Sequence, residues 1–322
     1  MRYRICLPLL GVLLATATAA EQNYPTRPIR LIVAFSASGT TDFVARLVAD
    51  KVKGPLGQPV VIENKPGANG AIGADFVSKA EPDGYTLFFS TAGAIAINPS
   101  MRSDLPYDPV NGFTPIVPIA RNTVLFAVNT GLGIDTAQQM IARAKEKPGA
   151  ITVAITGIGA ISHLAIEMLQ SAAGIKLQTV PYRGAGPAIA DLISGQVNAM
   201  SAEVPVLMSQ IKAGKAKVLA ISAQSRSEVM PDVPTFAELG YPDVIADNWS
   251  GVLAPPKTPP AIVAKLNAAF NAVVKDPEVR HRLADNAIST IGGTPEDLAT
   301  LMASETARWR KVVAETGVKA GQ

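Results

Sequence analysis

A buried strand, a turn of small residues and a helix follow one another near the start of the chain. Residues 31–35 form a continuous apolar run that is typical of a strand covered on both faces. Small residues fill positions 36–39, and apolar residues recur at helical spacing over 43–52, where Thr40 or Thr41 can cap the helix. Free backbone N–H groups and the positive end of the helix dipole meet at such a turn, which favours an anion site. An ordinary, well-capped connection explains the same residues equally well.

The same arrangement recurs further along the chain. Strand-like residues 151–155 precede a small-residue turn at 156–160 and a helix that starts near Ser162. Residues 179–187 repeat it, with Pro187 suited to a first helical position. Further strand-like segments occupy residues 59–63, 87–91, 124–128, 197–202 and 218–222. Strands that alternate with helices predict βαβ units and a parallel sheet, in which ligands bind beyond the C-terminal ends of the strands.

Length and charge narrow the class of protein. A chain of 322 residues is long enough for two domains of ordinary size. Aromatic residues make up 5% and charged residues 17%, which suits α/β layers better than a β-sandwich. The formal net charge of +3 falls to +1 once Arg2 and Arg4 of a cleaved leader are left out. Because no basic tract interrupts this balance, nucleic acid is excluded as an expected partner.

The first 20 residues are predicted to be a signal peptide. Arg2 and Arg4 form its positive start, residues 6–15 its apolar core, and residues 17–20 a small-residue cleavage site. The single cysteine, Cys6, leaves with this leader, so we expect the mature chain to lack disulfides and thiol chemistry. No later segment reaches about 18 uninterrupted apolar residues, and a soluble, exported product without stable membrane insertion is therefore expected.

The predicted order of elements implies a discontinuous first domain. Residues 226–248 form a proline-rich connection with one short helix near residues 236–239. After Pro256 the chain is predicted to be helical to its end, with helices at about 260–274, 276–286 and 295–316. A helical tail needs a sheet to cover. We therefore expect a first lobe built from residues 21–122 and 248–322, with residues 123–247 inserted as a second lobe.

Residues suited to bond-breaking chemistry are scarce. His281 lies between two arginines on a helix and is expected at the surface, whereas His163 follows a glycine turn, where it bonds to a neighbouring loop or contacts a ligand. These two histidines form no metal cluster of recognisable spacing, and no Gly-x-Ser-x-Gly elbow or carboxylate pair indicates a hydrolase. Backbone-rich turns at strand ends suit the binding of a small anion, so neither catalysis nor a cofactor is expected.

Several ordered motifs resemble the Bug/TctC family, the extracytoplasmic solute receptors of tripartite tricarboxylate transporters. They are YPTRPIRLIV (24–33), LGQPVVIENKPGA (56–68), PDGYTL (82–87), SHL (162–164), VPYRGAGPA (180–188), DVPT (232–235) and WSG (249–251). The resemblance runs over essentially the whole mature chain.

This resemblance implies a periplasmic binding protein type II fold, in which two α/β lobes close on a ligand held by backbone groups and bridging waters. It implies a periplasmic receptor for a small carboxylate, with permease subunits as partners. The inserted second lobe and the proline-rich return suggest a two-lobed monomer. The expected ligand-binding residues are Phe35, Ser36, Ala37, Ser38, Gly39, Thr41, Asp42, Thr91, Ala92, Thr156, Gly157, Ser162, His163, Tyr182, Gly184, Ala185 and Ala202. A periplasmic adaptor for a sensor kinase, or an exported enzyme with His163 as its base, are the alternatives.

The sequence departs from the family at the expected cleft. Residues 36–39 read Ser-Ala-Ser-Gly where relatives often have proline and paired glycines, and the histidine often found before Asn98 is missing. Ser201 and Ala202 follow Met200, where an acidic residue is frequent, and Glu203 comes one place later. The displaced acid argues against an amino-acid ligand. No Lys or Arg lies between Leu31 and Ala45, so backbone donors of residues 36–41 are expected to anchor the carboxylate, with Gly39 supplying a positive φ or close ligand approach.

Overall fold

The computed structural model describes residues 24–37, 39–182 and 184–318. The predicted signal peptide, Ser38 and Arg183 lie outside the described residues. The strands are β1 (Ile29–Val33), β2 (Val60–Asn64), β3 (Thr86–Thr91), β4 (Thr114–Asn129), β5 (Thr152–Ile155), β6 (Gln178–Pro181), β7 (Ala199–Glu203), β8 (Ala216–Ile221), β9 (Asp247–Ala254) and β10 (Ile288–Thr290). The helices are α1 (Thr40–Leu56), α2 (Ala71–Ser78), α3 (Asn98–Met101), α4 (Ala137–Glu146), α5 (Ile161–Ala173), α6 (Ala185–Ser194), α7 (Val204–Lys212), α8 (Pro260–Lys275), α9 (Pro277–Ala284) and α10 (Pro295–Thr316).

These strands form one mixed sheet with the order β2-β1-β3-β9-β4-β7-β5-β6, and β8 and β10 also pair with β4. β1 pairs in parallel with β2 and β3, and β5 pairs in parallel with β6 and β7. β9 runs antiparallel to β3 and β4, and β4 runs antiparallel to β7, β8 and β10. The prediction of a parallel sheet is therefore right for its two outer parts and wrong for its centre.

β4 belongs to both parts of the sheet. Its residues up to Thr123 pair with β9, and its residues from Val124 onward pair with β7 and β8. We call the part with β1, β2, β3, β9 and β10 the first half-sheet, and the part with β5, β6, β7 and β8 the second half-sheet. β4, together with the β8–β9 connection alongside it, joins them.

The first half-sheet is covered on both faces, which explains the uninterrupted apolar run of β1. Leu31 and Val33 pack in a cluster with residues of α1 and α8, whereas Ile32 packs on the other face with α2 and α10. All three side chains are fully buried. Burial on both faces is the usual state of parallel strands flanked by helices.

The C-terminal segment returns to the first half-sheet, as its helical pattern predicts. α10 begins at a capping box in which Thr294 and Asp297 bond each other's backbone N–H groups, and its Trp309 is fully buried. α10 contacts α3 and also α5 of the other half. The segment is not wholly helical, because Ile288–Thr290 pairs with β4. The short helix expected near residues 236–239 is wrong, since turns occupy that stretch.

Candidate ligand-binding site

The expected ligand loops follow strands that end side by side. Val33 at the end of β1 pairs with Phe89 of β3, and Ile155 at the end of β5 pairs with Pro181 of β6. β7 runs parallel to β5 in the same half-sheet. The loops therefore form two groups, one at the C-terminal edge of each half-sheet.

The connection from β1 to α1 is open to solvent. Ser36, Ala37 and Gly39 are exposed, and Phe35 is half-buried. Gly39 has an extended backbone with φ −85° and ψ 171°, so the positive φ expected there is wrong. A Cβ atom at Gly39 would lie 3.6 Å from Ser36 O and meets no closer neighbour among the described residues. Close approach of a ligand remains the predicted reason for a glycine at this position.

Helix α1 begins after a residue that has no side chain. Gly39 is the N-cap residue, so the predicted cap by Thr40 or Thr41 is wrong. The first N–H groups of a helix have no partner within the helix, and they remain available to an anion. Thr41 is half-buried, while the Thr40 hydroxyl is buried without a hydrogen-bond partner in the described chain.

Asp42 is linked to this loop by hydrogen bonds through Asn64. Its carboxylate is 3% exposed and accepts hydrogen bonds from Arg46 Nε at 2.8 Å and Asn64 Nδ2 at 2.9 Å. Asn64 Nδ2 also donates to Phe35 O at 2.9 Å. Asp42 thereby connects the loop to β2, and this geometry gives it a supporting role. Direct contact of Asp42 with a ligand stays a prediction.

Thr91 and Ala92 end β3 and are both buried. Thr91 Oγ1 accepts a hydrogen bond from Gly93 N at 3.3 Å, at the start of a π-helical turn over Gly93–Ile97. Asn98 follows this turn and donates from Nδ2 to Ala68 O at 3.0 Å. The end of β3 is thus tied to the loop that follows β2.

The loop after β2 reaches across to the second half-sheet. Gly67, Ala68, Asn69 and Gly70 all have positive φ, at 130°, 48°, 50° and 90°. Non-glycine residues with positive φ are uncommon and concentrate at functional sites. Asn69 Nδ2 donates to Gly159 O at 3.1 Å and lies 3.3 Å from Asn98 Oδ1. The two groups of loops therefore face each other. This loop is not among the predicted ligand loops.

The turn between β5 and α5 is held by its own side chains. Thr156 and Ser162 hydroxyls lie 3.2 Å apart, and Gly157 has φ 153°. His163 Nδ1 accepts a hydrogen bond from Gly159 N at 3.1 Å, and its Nε2 lies 3.3 Å from a Glu167 carboxylate oxygen. Both ring nitrogens are engaged, and the side chain is largely buried. Of the two roles considered for His163, this geometry favours the bond to a neighbouring loop.

The remaining expected residues lie at the ends of β6 and β7. Tyr182 donates its hydroxyl to Asp191 Oδ2 at 2.6 Å, and burial together with this carboxylate raises the pKa of Tyr182 to about 12. Gly184 has φ 102° and precedes Ala185, the first residue of α6, so Pro187 lies two residues later than predicted. Ala202 is buried in β7 and pairs with Leu125 of β4.

Comparison with known proteins identifies the family. Residues 44–318 match the family described as the tripartite tricarboxylate transporter family receptor, TctC. The chain belongs to this family. Protein BugT of Bordetella pertussis (strain Tohama I) is 36% identical over 318 residues, which cover 97% of this chain and 98% of BugT.

Solved structures of the family share this fold. The structure of R. palustris Rpa4515 with adipate has a TM-score of 0.87 at 33% identity and covers 92% of this chain and 99% of its own. MatC from Rhodopseudomonas palustris with bound malate has a TM-score of 0.82 at 33% identity, with coverages of 90% and 100%. The fold predicted from the family resemblance is confirmed.

Several buried polar atoms of this TctC-family receptor lack a partner in the part of the chain that is described. Beside Thr40 Oγ1 they include Asn122 Nδ2, Ser201 Oγ, Asn248 Oδ1 and Trp249 Nε1. The last four lie on β4, β7 and β9, at or next to the junction of the half-sheets. Buried polar groups normally have hydrogen-bond partners, so each of these atoms requires an explanation. The sequence analysis missed Asn122 and Asn248, because their proximity depends on strand pairing.

Two surface hollows of the receptor lie away from the expected loops. One, of about 740 Å³, is lined by residues including Arg27, Lys65 and Phe76. The other, of about 710 Å³, lies behind the junction, where Arg121 and Asp247 are among its lining residues; we call it the rear hollow. Neither is lined by a predicted ligand residue. We place the site between the strand edges instead, because ligands of open α/β sheets bind at the C-terminal ends of strands.

In the described chain, the His, Cys, Asp and Glu side chains form no group of three or more that could hold a metal ion. None of its helices combines the length and apolar character needed to cross a bilayer.

Proposed function

We propose that this receptor captures a small carboxylate solute in the periplasm and delivers it to the membrane permease of a tripartite tricarboxylate transporter. Membership of the TctC family supports the receptor role. The family structures solved with adipate and malate support an organic acid as the ligand. The main observation behind the proposal is that two groups of strand-end loops face each other. The hydrogen bond from Asn69 Nδ2 to Gly159 O joins them.

The carboxylate anchor in this proposal is the uncapped start of α1. An exposed connection of small residues leads into the helix, and its N-cap residue, Gly39, has no side chain that could accept from the N-terminal N–H groups. The α1 dipole adds a positive partial charge at the same point. Hydrogen bonds to a charged group contribute about 1.5–3 kcal/mol each, so two backbone donors suffice for a strong anchor without a lysine or arginine.

Ligand capture would involve closure of two lobes. In this proposal residues 21–122 and 248–322 move as one lobe and residues 123–247 as the other. Support comes from the pairing pattern, since β4 and the β8–β9 connection join the half-sheets. The lobes would turn about Asn122–Val124 and Ala246–Asn248, and the Asn69–Gly159 bond would form on closure. A hinge of a few residues at the ends of strands is a common arrangement for such motion.

We propose binding rather than catalysis because both ring nitrogens of His163 already have polar partners. Its Nδ1 accepts a backbone hydrogen bond, and its Nε2 is directed at Glu167. A general base needs a free lone pair within reach of the proton it removes. Export follows in the proposal from the predicted leader at residues 1–20, and monomeric behaviour from the insertion of one lobe into the other.

A thermal-shift screen with mono-, di- and tricarboxylates and aromatic acids tests the proposal. A ligand at 100 times its dissociation constant stabilises the folded state by about 2.7 kcal/mol, which corresponds to a rise of several degrees in unfolding temperature. Small-angle scattering with the best acid should show a smaller radius of gyration. Failure of every acid to stabilise the protein would refute carboxylate binding, and conversion of the bound acid would revive an enzymatic role.

A further inference from the structure

The strands at the junction of the half-sheets carry a row of polar side chains on one face. Asn122 of β4 and Asn248 of β9 are direct cross-strand neighbours. Ser201 and Glu203 of β7 project from the same face as Asn122, because paired residues and every second residue of a strand share a face. Asn122, Ser201 and Asn248 are each more than nine-tenths buried. We call these four residues the junction row.

The junction row faces the space between the two loop groups. Val124 and Phe126 lie on the same side of β4 as Asn122. They pack in a cluster with Ile161 and Leu164 of α5. Val252, on the same face of β9 as Asn248, packs in a cluster with α1, so the junction row lies on the side of the sheet that carries α1 and α5. Asp247 lies on the opposite face and lines the rear hollow. The junction row is therefore on the inner side, where a bound solute would lie.

Two neighbouring amides of the junction row lack opposite hydrogen-bond partners: one lacks a donor and the other lacks an acceptor. Asn248 Nδ2 donates to Glu203 Oε1 at 2.5 Å. Asn248 Oδ1 is left without a donor, and Asn122 Nδ2 is left without an acceptor within the described residues. The two amides are neighbours and yet do not bond each other. A third group that accepts from one and donates to the other would complete both bonds.

We propose that the junction row binds a hydroxyl group of the ligand, so that this receptor selects hydroxy acids. A hydroxyl can accept from Asn122 Nδ2 and donate to Asn248 Oδ1 at the same time, with the Ser201 hydroxyl as a further partner. An ionised second carboxylate only accepts, and it would lie beside the Glu203 carboxylate. An ammonium only donates and leaves Asn122 Nδ2 unpaired. The inference rests on the proposed carboxylate-binding function and specifies its ligand class.

Calorimetric titration of the whole mature chain tests the inference. The probes are straight-chain monocarboxylates of three to six carbons, each without a hydroxyl and with one at each carbon in turn, and the dicarboxylates of equal length. At one chain length and position, the hydroxy acid should bind at least about tenfold more tightly than both the parent acid and the dicarboxylate, because the parent leaves buried polar groups unpaired.

Variants connect this preference to the junction row. Asn122→Leu, of similar shape, should bind the parent acid and the hydroxy acid with equal affinity, so that the preference for the hydroxyl is lost. Ser201→Ala is a milder change that should reduce the preference, which keeps the inference testable if Asn122→Leu does not fold. Asn111→Leu, the same change in the exposed turn that precedes β4, should leave both affinities unaltered.

Three results would overturn the inference. They are equal affinities with and without a hydroxyl at every length, a preference that survives Asn122→Leu, and a crystal structure of the complex with a water alone between Asn122 and Asn248. Failure of every acid to bind would instead refute the proposed function itself. A crystal structure with the hydroxyl oxygen bonded to both amides would establish the site.

Discussion

Asn69→Asp should weaken ligand binding although residue 69 lies outside the predicted anchor. Asn69 has φ 50°, a conformation that aspartate also tolerates, so the backbone should be retained. The substitution replaces the Nδ2 donor by an oxygen that faces Gly159 O, to which Asn69 donates at 3.1 Å. Two acceptors would then face each other across the closed lobes. When the lobes separate, water can solvate the new carboxylate, so the substitution does not destabilise the open state.

The size of the effect follows from this difference between states. Loss of a hydrogen bond that leaves a buried acceptor unpaired costs about 1–3 kcal/mol. The contact with Asn98 lies within the first half-sheet, so its loss affects both states and cancels. If the free protein is mainly open, the closed fraction and the affinity fall by roughly fivefold to a hundredfold. Asn69→Gly removes the same hydrogen bond without adding repulsion, so its loss of affinity should lie at the lower end of this range.

Calorimetric titration with the acid that gives the largest thermal shift measures this effect. Small-angle scattering at saturation should still show the compact form for both variants, since excess ligand drives closure. Asn286→Asp, on the short connection after α9, is the matched control and should bind normally. An unchanged dissociation constant for Asn69→Asp, in a protein that unfolds at its usual temperature, would refute the role of this bond in closure.

Three further predictions concern the anchor, His163 and a buried carboxylate. Gly39→Val should reduce carboxylate affinity on the order of a hundredfold, the equivalent of two charged hydrogen bonds, and leave the unfolding temperature unchanged because the extended backbone accepts valine; normal binding in a titration would contradict the anchor. His163→Ala should weaken binding by roughly fivefold through loss of the Gly159 N–H bond, with no ligand conversion by chromatography in either protein; turnover by the wild type that the variant loses would contradict this role. Burial raises the pKa of Asp247 above its usual range, so the charged carboxylate destabilises the folded state at neutral pH, and this cost disappears as pH falls through the raised pKa. Asp247→Asn should therefore raise the unfolding temperature at pH 7 by more than at pH 4, and a constant difference across that range would contradict the assignment.

Local patterns were sufficient for the elements that carry the loops. The apolar runs of β1 and β5 and the apolar periodicity of α10 depend on neighbouring residues, and their predicted ranges agree with the structure to within two residues. The first part of β4 was missed, since Pro115 and Pro118 interrupt its strand pattern near two shifts in register. β10 has three residues and gains its strand character from pairing with β4. Such elements are decided by distant partners, which local periodicity does not report.

The candidate site divides in the same way. Turns at the ends of parallel strands were predictable, because the direction of the strands fixes where their loops meet. Asn122 and Asn248 were not, because their relation arises from the register of two strands far apart in the chain. Asn69 left a weaker signal: the run Pro-Gly-Ala-Asn-Gly predicts positive φ values, but its contact with Gly159 depends on the approach of the two half-sheets.

An anchor made of backbone N–H groups has a consequence for selectivity. The N–H groups at the start of α1 do not depend on side-chain identity, so they bind a carboxylate of any acid that fits and discriminate little between acids. Discrimination must then come from side chains that meet the rest of the ligand, and the junction row offers unpaired polar atoms at that place. Structures of the family that hold adipate and malate on one fold are consistent with this division. Changes at Asn122 or Ser201 should therefore alter which acid is bound, whereas changes at Gly39 should weaken all acids alike.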